Sequence, residues 1–249
     1  MKKTAFLWFC AAIMLPVLRV PASGGPVEAW QEYETSVRDA GISKAEASRK
    51  LESVVSALSA DLLSKYTFSA SSRAFPVEGH GLRALNKAAF APHIVYGPYG
   101  TRGYEFFDGN RHGGHPAYDI FIRDRDMDSL DDRSGKPVNA AALADSVAVS
   151  INTGWQKGGK LRGGNYAWLY SPVTNRFFYY AHLGEVFVKP GEFIPAGGKI
   201  GTIGRTGRLA DSKSSPTHVH FMVLDYQNGK LIPYDYYNDL KNLESLNAQ

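Results

Sequence analysis

The chain has 249 residues, 44% of them hydrophobic and 21% charged, enough to bury a substantial core and too apolar for a disordered or fibrous protein. Its single cysteine excludes a disulfide framework and any cysteine-based zinc site. The formal charge is +4, but Lys2, Lys3 and Arg19 fall within the first 22 residues. Without those three cations the balance drops to +1, which gives no global electrostatic drive toward nucleic acid.

Residues 1–22 carry the pattern of a secretory signal peptide. Lys2 and Lys3 form its positive end, residues 5–18 its apolar run, and Val20 and Ala22 the small residues before a cut after Ala22. The expected protein is exported, periplasmic or secreted, and not stably inserted in a membrane after cleavage. Pro16 interrupts the apolar run, which is shorter than a span of about 20 residues. Bulky Leu7, Trp8 and Phe9 before Cys10 argue against lipid attachment there.

Residues 26–66 read as two helices. Pro26 is a favoured opener, and Trp30, Tyr33, Val37 and Ala40 recur at helical spacing before Gly41, a candidate C-cap. Ser43 and Glu46 have the spacing of a capping box. Leu51, Val54, Val55, Leu58 and Leu62 then give the second helix one apolar stripe. The expectation is an αα-hairpin packed on the body of the protein, with a pro-segment or an arm for an envelope regulatory partner as the alternatives.

From about residue 75 the helical period gives way to short β-type runs separated by turn residues. Residues 117–122, 146–151, 165–171, 176–182 and 217–224 are the candidate strands. The expected fold is mainly β (α+β overall): an antiparallel sheet core with an open groove plus the N-terminal hairpin. The expected division is a leader (1–22), a hairpin (23–69), a β domain (70–237) and a C-terminal tail (238–249).

Histidine spacing carries the chemistry. His115 and Asp119 form H-x-x-x-D, and His218 and His220 form H-x-H in a strand pattern. Alternate strand residues share a face, so His218, His220 and Met222 point one way and Val219, Phe221 and Val223 the other. Two adjacent imidazoles repel when protonated and need polar partners when neutral; a shared metal resolves both demands. A catalytic zinc site takes three protein ligands and keeps one position open, a count that two histidines and a carboxylate meet. His182 ends a strand, on the face predicted to hold Phe178 and Tyr180, and can place a further imidazole nearby.

With these elements in order, the sequence resembles the lysostaphin/LytM-type zinc metallopeptidases, which cut peptide bonds in bacterial peptidoglycan. The resemblance spans most of residues 75–237. It includes Phe-Pro-Val-Glu-Gly (75–79), Gly-Lys-Pro-Val (135–138), Gly-Asn-Tyr (164–166), Tyr-Ala-His-Leu (180–183) and Val-Lys-Pro-Gly (188–191). It ends with Gly-Thr-Ile-Gly-Arg-Thr-Gly (201–207) and Thr-His-Val-His-Phe (217–221). The resemblance implies one Zn2+ per chain held by His115, Asp119 and His220, with His182 and His218 as catalytic imidazoles flanking the open position. Which of those two takes the proton and which stabilises charge stays open. Tyr166, Tyr180 and Asn165 are the candidates for substrate contact. The implied substrate is a stem-peptide cross-link or a glycine-rich bridge. A latent or non-catalytic regulator of other wall hydrolases, and a zinc peptidase acting on proteins, are the other readings.

The chain departs from the commoner pattern at Tyr118, beside Asp119, and in long polar loops at 124–135 and 205–217. Asp124, Asp126 and Asp128 imitate the start of an EF-hand, but Ser129 and Gly135 occupy the positions that need Gly and Glu, so a solvated acidic loop is expected. Gly201, Gly204 and Gly207 lack a dinucleotide-binding context and read as turn glycines. His112 is a competing ligand candidate, and His80 and His93 read as surface or hydrogen-bonded structural residues.

Overall fold

The computed structural model describes residues 24–86 and 104–247. The signal-peptide pattern, Cys10 and His93 lie outside the described residues. Among the described residues no helix is long and apolar enough to cross a membrane.

Two helices open the fold, α1 (Pro26–Arg38) and α2 (Lys44–Lys65). Proline suits the first turn of α1 because its missing N–H has no partner there in any helix. The helix closes differently from the sequence expectation. Ala40, not Gly41, takes the left-handed conformation, at φ 58°. Ala40 N then donates to Val37 O and Gly41 N to Ser36 O, which satisfies two carbonyls that the helix end would leave open. In α2 half of the capping box forms: Ser43 Oγ accepts from Glu46 N at 3.2 Å. The Glu46 carboxylate pairs forward with Lys50 instead, at 2.6 Å.

Among the described residues ten strands follow: β1 (Leu85–Asn86), β2 (Ala117–Phe121), β3 (Asn139–Ala141), β4 (Ser146–Asn152), β5 (Asn165–Ser171), β6 (Arg176–Val186), β7 (Phe193–Ile194), β8 (Lys199–Ile203), β9 (His218–Gln227) and β10 (Lys230–Pro233). They form one sheet of order β1-β2-β9-β6-β5-β4-β7, with β10 paired to β9, β8 to β6 and β3 to β8. Every pairing is antiparallel. The fold is therefore mainly β, as the strand-like runs predict.

Both faces of the sheet are buried, by different partners. Tyr118, Ile120, Phe178, Tyr180, Val219, Phe221 and Val223 point to one face and pack with Tyr236 and Leu240. Leu240 belongs to a helix, α3 (Tyr237–Asn247), where a tail was expected. Tyr237, Leu240 and Leu243 recur at three-residue spacing and pack on this core, which is why the segment is helical. The other face presents Tyr166, Trp168, Tyr170, Phe177, Met222 and Leu224. The hairpin covers it with Trp30, Tyr33, Val37, Leu51, Val55 and Leu58. Trp30 is fully buried and stacks on Phe177 with ring centroids 4.3 Å apart. The apolar stripes of the hairpin are thus used inside the molecule and are not the surface of a free arm.

Candidate active site

The register of three strands assembles the histidine cluster. Asp119 in β2 lies opposite His220 in β9, and Ala181 in β6 flanks His220 on its other side. His115, two residues before β2, folds back so that its Nε2 is 3.4 Å from Asp119 Oδ1. His220 Nδ1 is 3.2 Å and His218 Nε2 3.7 Å from the same oxygen. The candidate ligand atoms of His115, Asp119 and His220 all lie within 4.8 Å of one another. Metal–ligand bonds of about 2.0–2.1 Å in a tetrahedron place neighbouring ligand atoms roughly 3.3 Å apart, the spacing seen around Asp119. Asp119 Oδ1 is buried and has no well-directed hydrogen bond. Two imidazoles and a carboxylate are also the donor set that zinc accepts, so the residues fit the ion that the sequence resemblance implies.

Burial and neighbours set the charge states. Burial disfavours the Asp119 carboxylate, but His115 and His220 outweigh it and hold the group well below the usual carboxylate range. Burial and the adjacent His115 push His220 down to about 4. Burial, together with His218 and His220, pushes His182 down to about 3. Asp119 is therefore held as a carboxylate, and His220 and His182 as neutral imidazoles, at neutral pH; those are the states of Asp119 and His220 that metal ligation requires.

His182 and His218 are oriented from behind. His182 Nδ1 lies 2.8 Å from Thr206 O, and His218 Nδ1 lies 2.7 Å from Pro216 O. A carbonyl can only accept, so each ring carries its proton on Nδ1 and leaves the Nε2 lone pair free of it. The rings stand 4.9 Å apart. The face of His182 is a correction to the sequence reading. Strict alternation would place it with Phe178 and Tyr180. Instead its φ is 64°, and the β5–β6 register shifts where Asn165 faces Leu183 and Tyr166 faces Ala181. This bulge turns His182 to the face of Ala181 and Tyr179, where the cluster lies. Gly207 makes room for the ring: with φ 112°, a Cβ there would lie 2.4 Å from Arg162 O and 2.8 Å from His182 Nδ1.

The H-x-H strand is entered through a fixed loop. Arg205 donates to Ser212 O, Ser215 O and Thr217 Oγ1. Thr217 donates to Asp124 Oδ2 at 2.6 Å. Asp124 is 7% exposed and also accepts from Asp128 N and Ser129 N. The 124–135 loop, expected to be solvated, is in this part a buried brace for the residue before His218.

The groove around the cluster is walled by Tyr104, Phe106, Arg162, Tyr179 and Met222, and by Glu34, Val37 and Arg38 of α1. Tyr166 lines it too, but its hydroxyl donates to Glu34 and accepts from Arg38 Nη1 at 2.7 Å. Tyr180 does not line it. That side chain is fully buried on the opposite face, and its hydroxyl accepts from Leu143 N, because β6 alternates until the bulge. Asn165 is also structural: its amide accepts from Trp155 N and donates to Gly184 O. His112 lines the groove without joining the candidate ligand set; its ring meets Tyr104 edge-on at 4.9 Å. His80 is partly buried, with Nδ1 2.8 Å from Glu78 O. The sequence reading did not find Glu34, Arg38 or Arg162. The available signal was Trp30, Glu34 and Arg38 at four-residue spacing, which puts a carboxylate on the buried stripe of α1.

Residues 129–233 match the model of peptidase family M23. That span contains His182, His218 and His220; His115 and Asp119 precede it and join the site through β2. No curated protein matches the chain. Among solved structures it is similar to a protein from Ruminococcus gnavus described as a glycyl-glycine endopeptidase, LytM, at 20% identity over 70% of this chain and 61% of that one, TM-score 0.47. It is similar to the catalytic domain of lysostaphin from Staphylococcus simulans at 24% identity, over 52% of this chain and 80% of that one, TM-score 0.36. A third is a peptidase M23 from Pseudomonas aeruginosa, at 18% identity over 74% of this chain and 58% of that one, TM-score 0.39. The family match thus covers the part of the β domain, residues 129–233, that supplies three of the cluster's five groups: His182, His218 and His220.

Proposed function

We propose that this chain is an exported zinc-dependent endopeptidase that hydrolyses peptide bonds in bacterial peptidoglycan. The observation that carries this reading is the geometry around Asp119: three candidate ligand atoms within 4.8 Å, flanked by two imidazoles fixed through Nδ1. His115, Asp119 and His220 would hold the ion. A bound zinc supplies Lewis-acid polarisation of a carbonyl and lowers the pKa of a water. His182 and His218 then serve proton transfer, each through Nε2, and the backbone carbonyls of Thr206 and Pro216 stabilise whichever ring takes up a proton. Burial and the neighbouring His218 and His220 disfavour the protonated form of His182. The substrate rests on the family, and export rests on the leader pattern.

The test is digestion of purified peptidoglycan by the chain without residues 1–22, with products identified by mass spectrometry and bound metal counted. One zinc per chain and chelator-sensitive cleavage are expected. His220→Ala is expected to lose both metal and cleavage. His182→Ala is expected to keep the metal and lose on the order of a hundredfold or more in rate. A folded, zinc-loaded protein that cuts no wall peptide would overturn the reading.

A further inference from the structure

We propose that Arg162 is a specificity-determining residue that receives a carboxylate of the substrate peptide, so that the groove selects acid-bearing stem peptides over uncharged glycine bridges. This rests on the peptidase reading of the same groove and narrows its substrate.

The backbone that carries Arg162 is held on both sides. Arg162 N donates to Asn110 Oδ1 at 3.0 Å, Leu161 O accepts from Arg208 N at 3.1 Å, and Gly163 O accepts from His182 N at 2.9 Å. The residue is thus bonded on both sides and lies one position from the segment that pairs with His182. Gly163 allows this close approach, since a Cβ there would sit 2.0 Å from Tyr179 Oη. Arg162 lines the groove together with His112, His115, His182 and His218.

The other charges of the groove are matched within the protein. Arg38 donates through Nε and Nη2 to both Asp39 oxygens and through Nη1 to Tyr166. Glu34 accepts from Ser150 and Tyr166, and Asp119 faces three imidazoles. Arg162 differs. Its Nη1 donates to His112 O at 2.6 Å, and among the described residues no carboxylate lies within 4.0 Å of it. A guanidinium has five N–H donors in a planar fork suited to a carboxylate. In Arg162 one donor anchors the group and the fork stays available, beside the imidazoles and partly shielded from water. A stem peptide offers carboxylates at its acidic residues and its free end; a glycine bridge offers none along its length.

The test uses a purified cross-linked stem-peptide dimer, with its carboxyl groups free or converted to carboxamides, and pentaglycine beside it. Wild-type, Arg162→Gln and Arg162→Lys proteins are compared for kcat, KM and, in metal-free form, for peptide binding by calorimetry. The acid dimer is expected to be favoured over the amide dimer by ten- to a hundredfold in kcat/KM, a charge-assisted pair's usual range. Arg162→Gln is expected to collapse that ratio through KM, and Arg162→Lys to restore part of it. Equal acid-to-amide ratios in wild type and Arg162→Gln, with matching thermal melts, would overturn the inference while leaving the peptidase reading intact. Failure of the zinc-loaded wild type to cut any of the three peptides would overturn the peptidase reading instead. Acid-selective binding that Arg162→Gln abolishes would still support the carboxylate role of Arg162 in that case.

Discussion

Glu34 is enclosed between α1 and the sheet, where burial disfavours its charged form. Ser150, Arg38, Tyr166 and Trp168 all pull the other way, yet the net shift of its pKa is upward. A carboxyl whose folded pKa is raised binds its proton more tightly in the native state than in the unfolded one. Its contribution to stability is full below the ordinary value of about 4.3 and is lost as pH rises through the folded value. Glu34→Gln is therefore expected to melt at or above the wild-type temperature at pH 7–8, and to lose that advantage near pH 4. A variant that is less stable at pH 8 than at pH 4, relative to wild type, would show that Arg38 and the hydroxyls dominate. At this scale spacing marked the histidines, since H-x-H shares a face in any strand, but the choice of His115, Asp119 and His220 as the ligand set came from the family resemblance. Tyr180 was misread because one strand supplies groove residues on one face and core on the other. His182 was misread because the bulge that turns it depends on Gly163, Gly207 and the partner strand, none of which shows in the period of β6.

The helix–helix corner of the hairpin holds an element-scale prediction. Ala40 occupies a left-handed conformation that glycine adopts without strain, while the glycine of the sequence sits one position later. Ala40→Gly is expected to stabilise the protein by up to about 1 kcal/mol, read as a higher urea midpoint with unchanged slope. Trp30→Ala tests the docking of α1 itself. Removing a fully buried indole stacked on Phe177 is expected to cost about 3–5 kcal/mol in the same assay. The helices and the five main strands were legible from period and β-branched or aromatic content. The short strands β1, β3 and β7 were not, because two or three residues carry no period and are defined by partners distant in sequence. α3 was missed for a related reason: its apolar positions are few and gain meaning only against Tyr236 and the sheet core.

Across the whole molecule, the hairpin and the β domain share one core. Trp30, Tyr33, Leu51 and Leu58 pack with Trp168, Tyr170, Phe177 and Met222. Deleting residues 24–66 is thus expected to expose an aromatic sheet face and give a protein that self-associates in gel filtration and loses its sharp thermal transition. A monomeric, sharply melting product would instead mark the hairpin as a detachable cover, the latency that the regulator reading requires. The family match begins at residue 129, so the sequence signal for the domain and the physical unit that folds are different lengths of chain.

The pairing of Asp119 with His220 has a further consequence. About 100 residues separate the two, and β9, which carries His220, lies between β2 and β6, which carries His182. Contacts of such long range are slow to form, because the entropy of closing so large a loop must be met first. Until β9 pairs with β2 and β6, His220 has no fixed place beside Asp119 and His182. Under the peptidase reading, the chain gains its reactive cluster only once the strand that completes the sheet is in place.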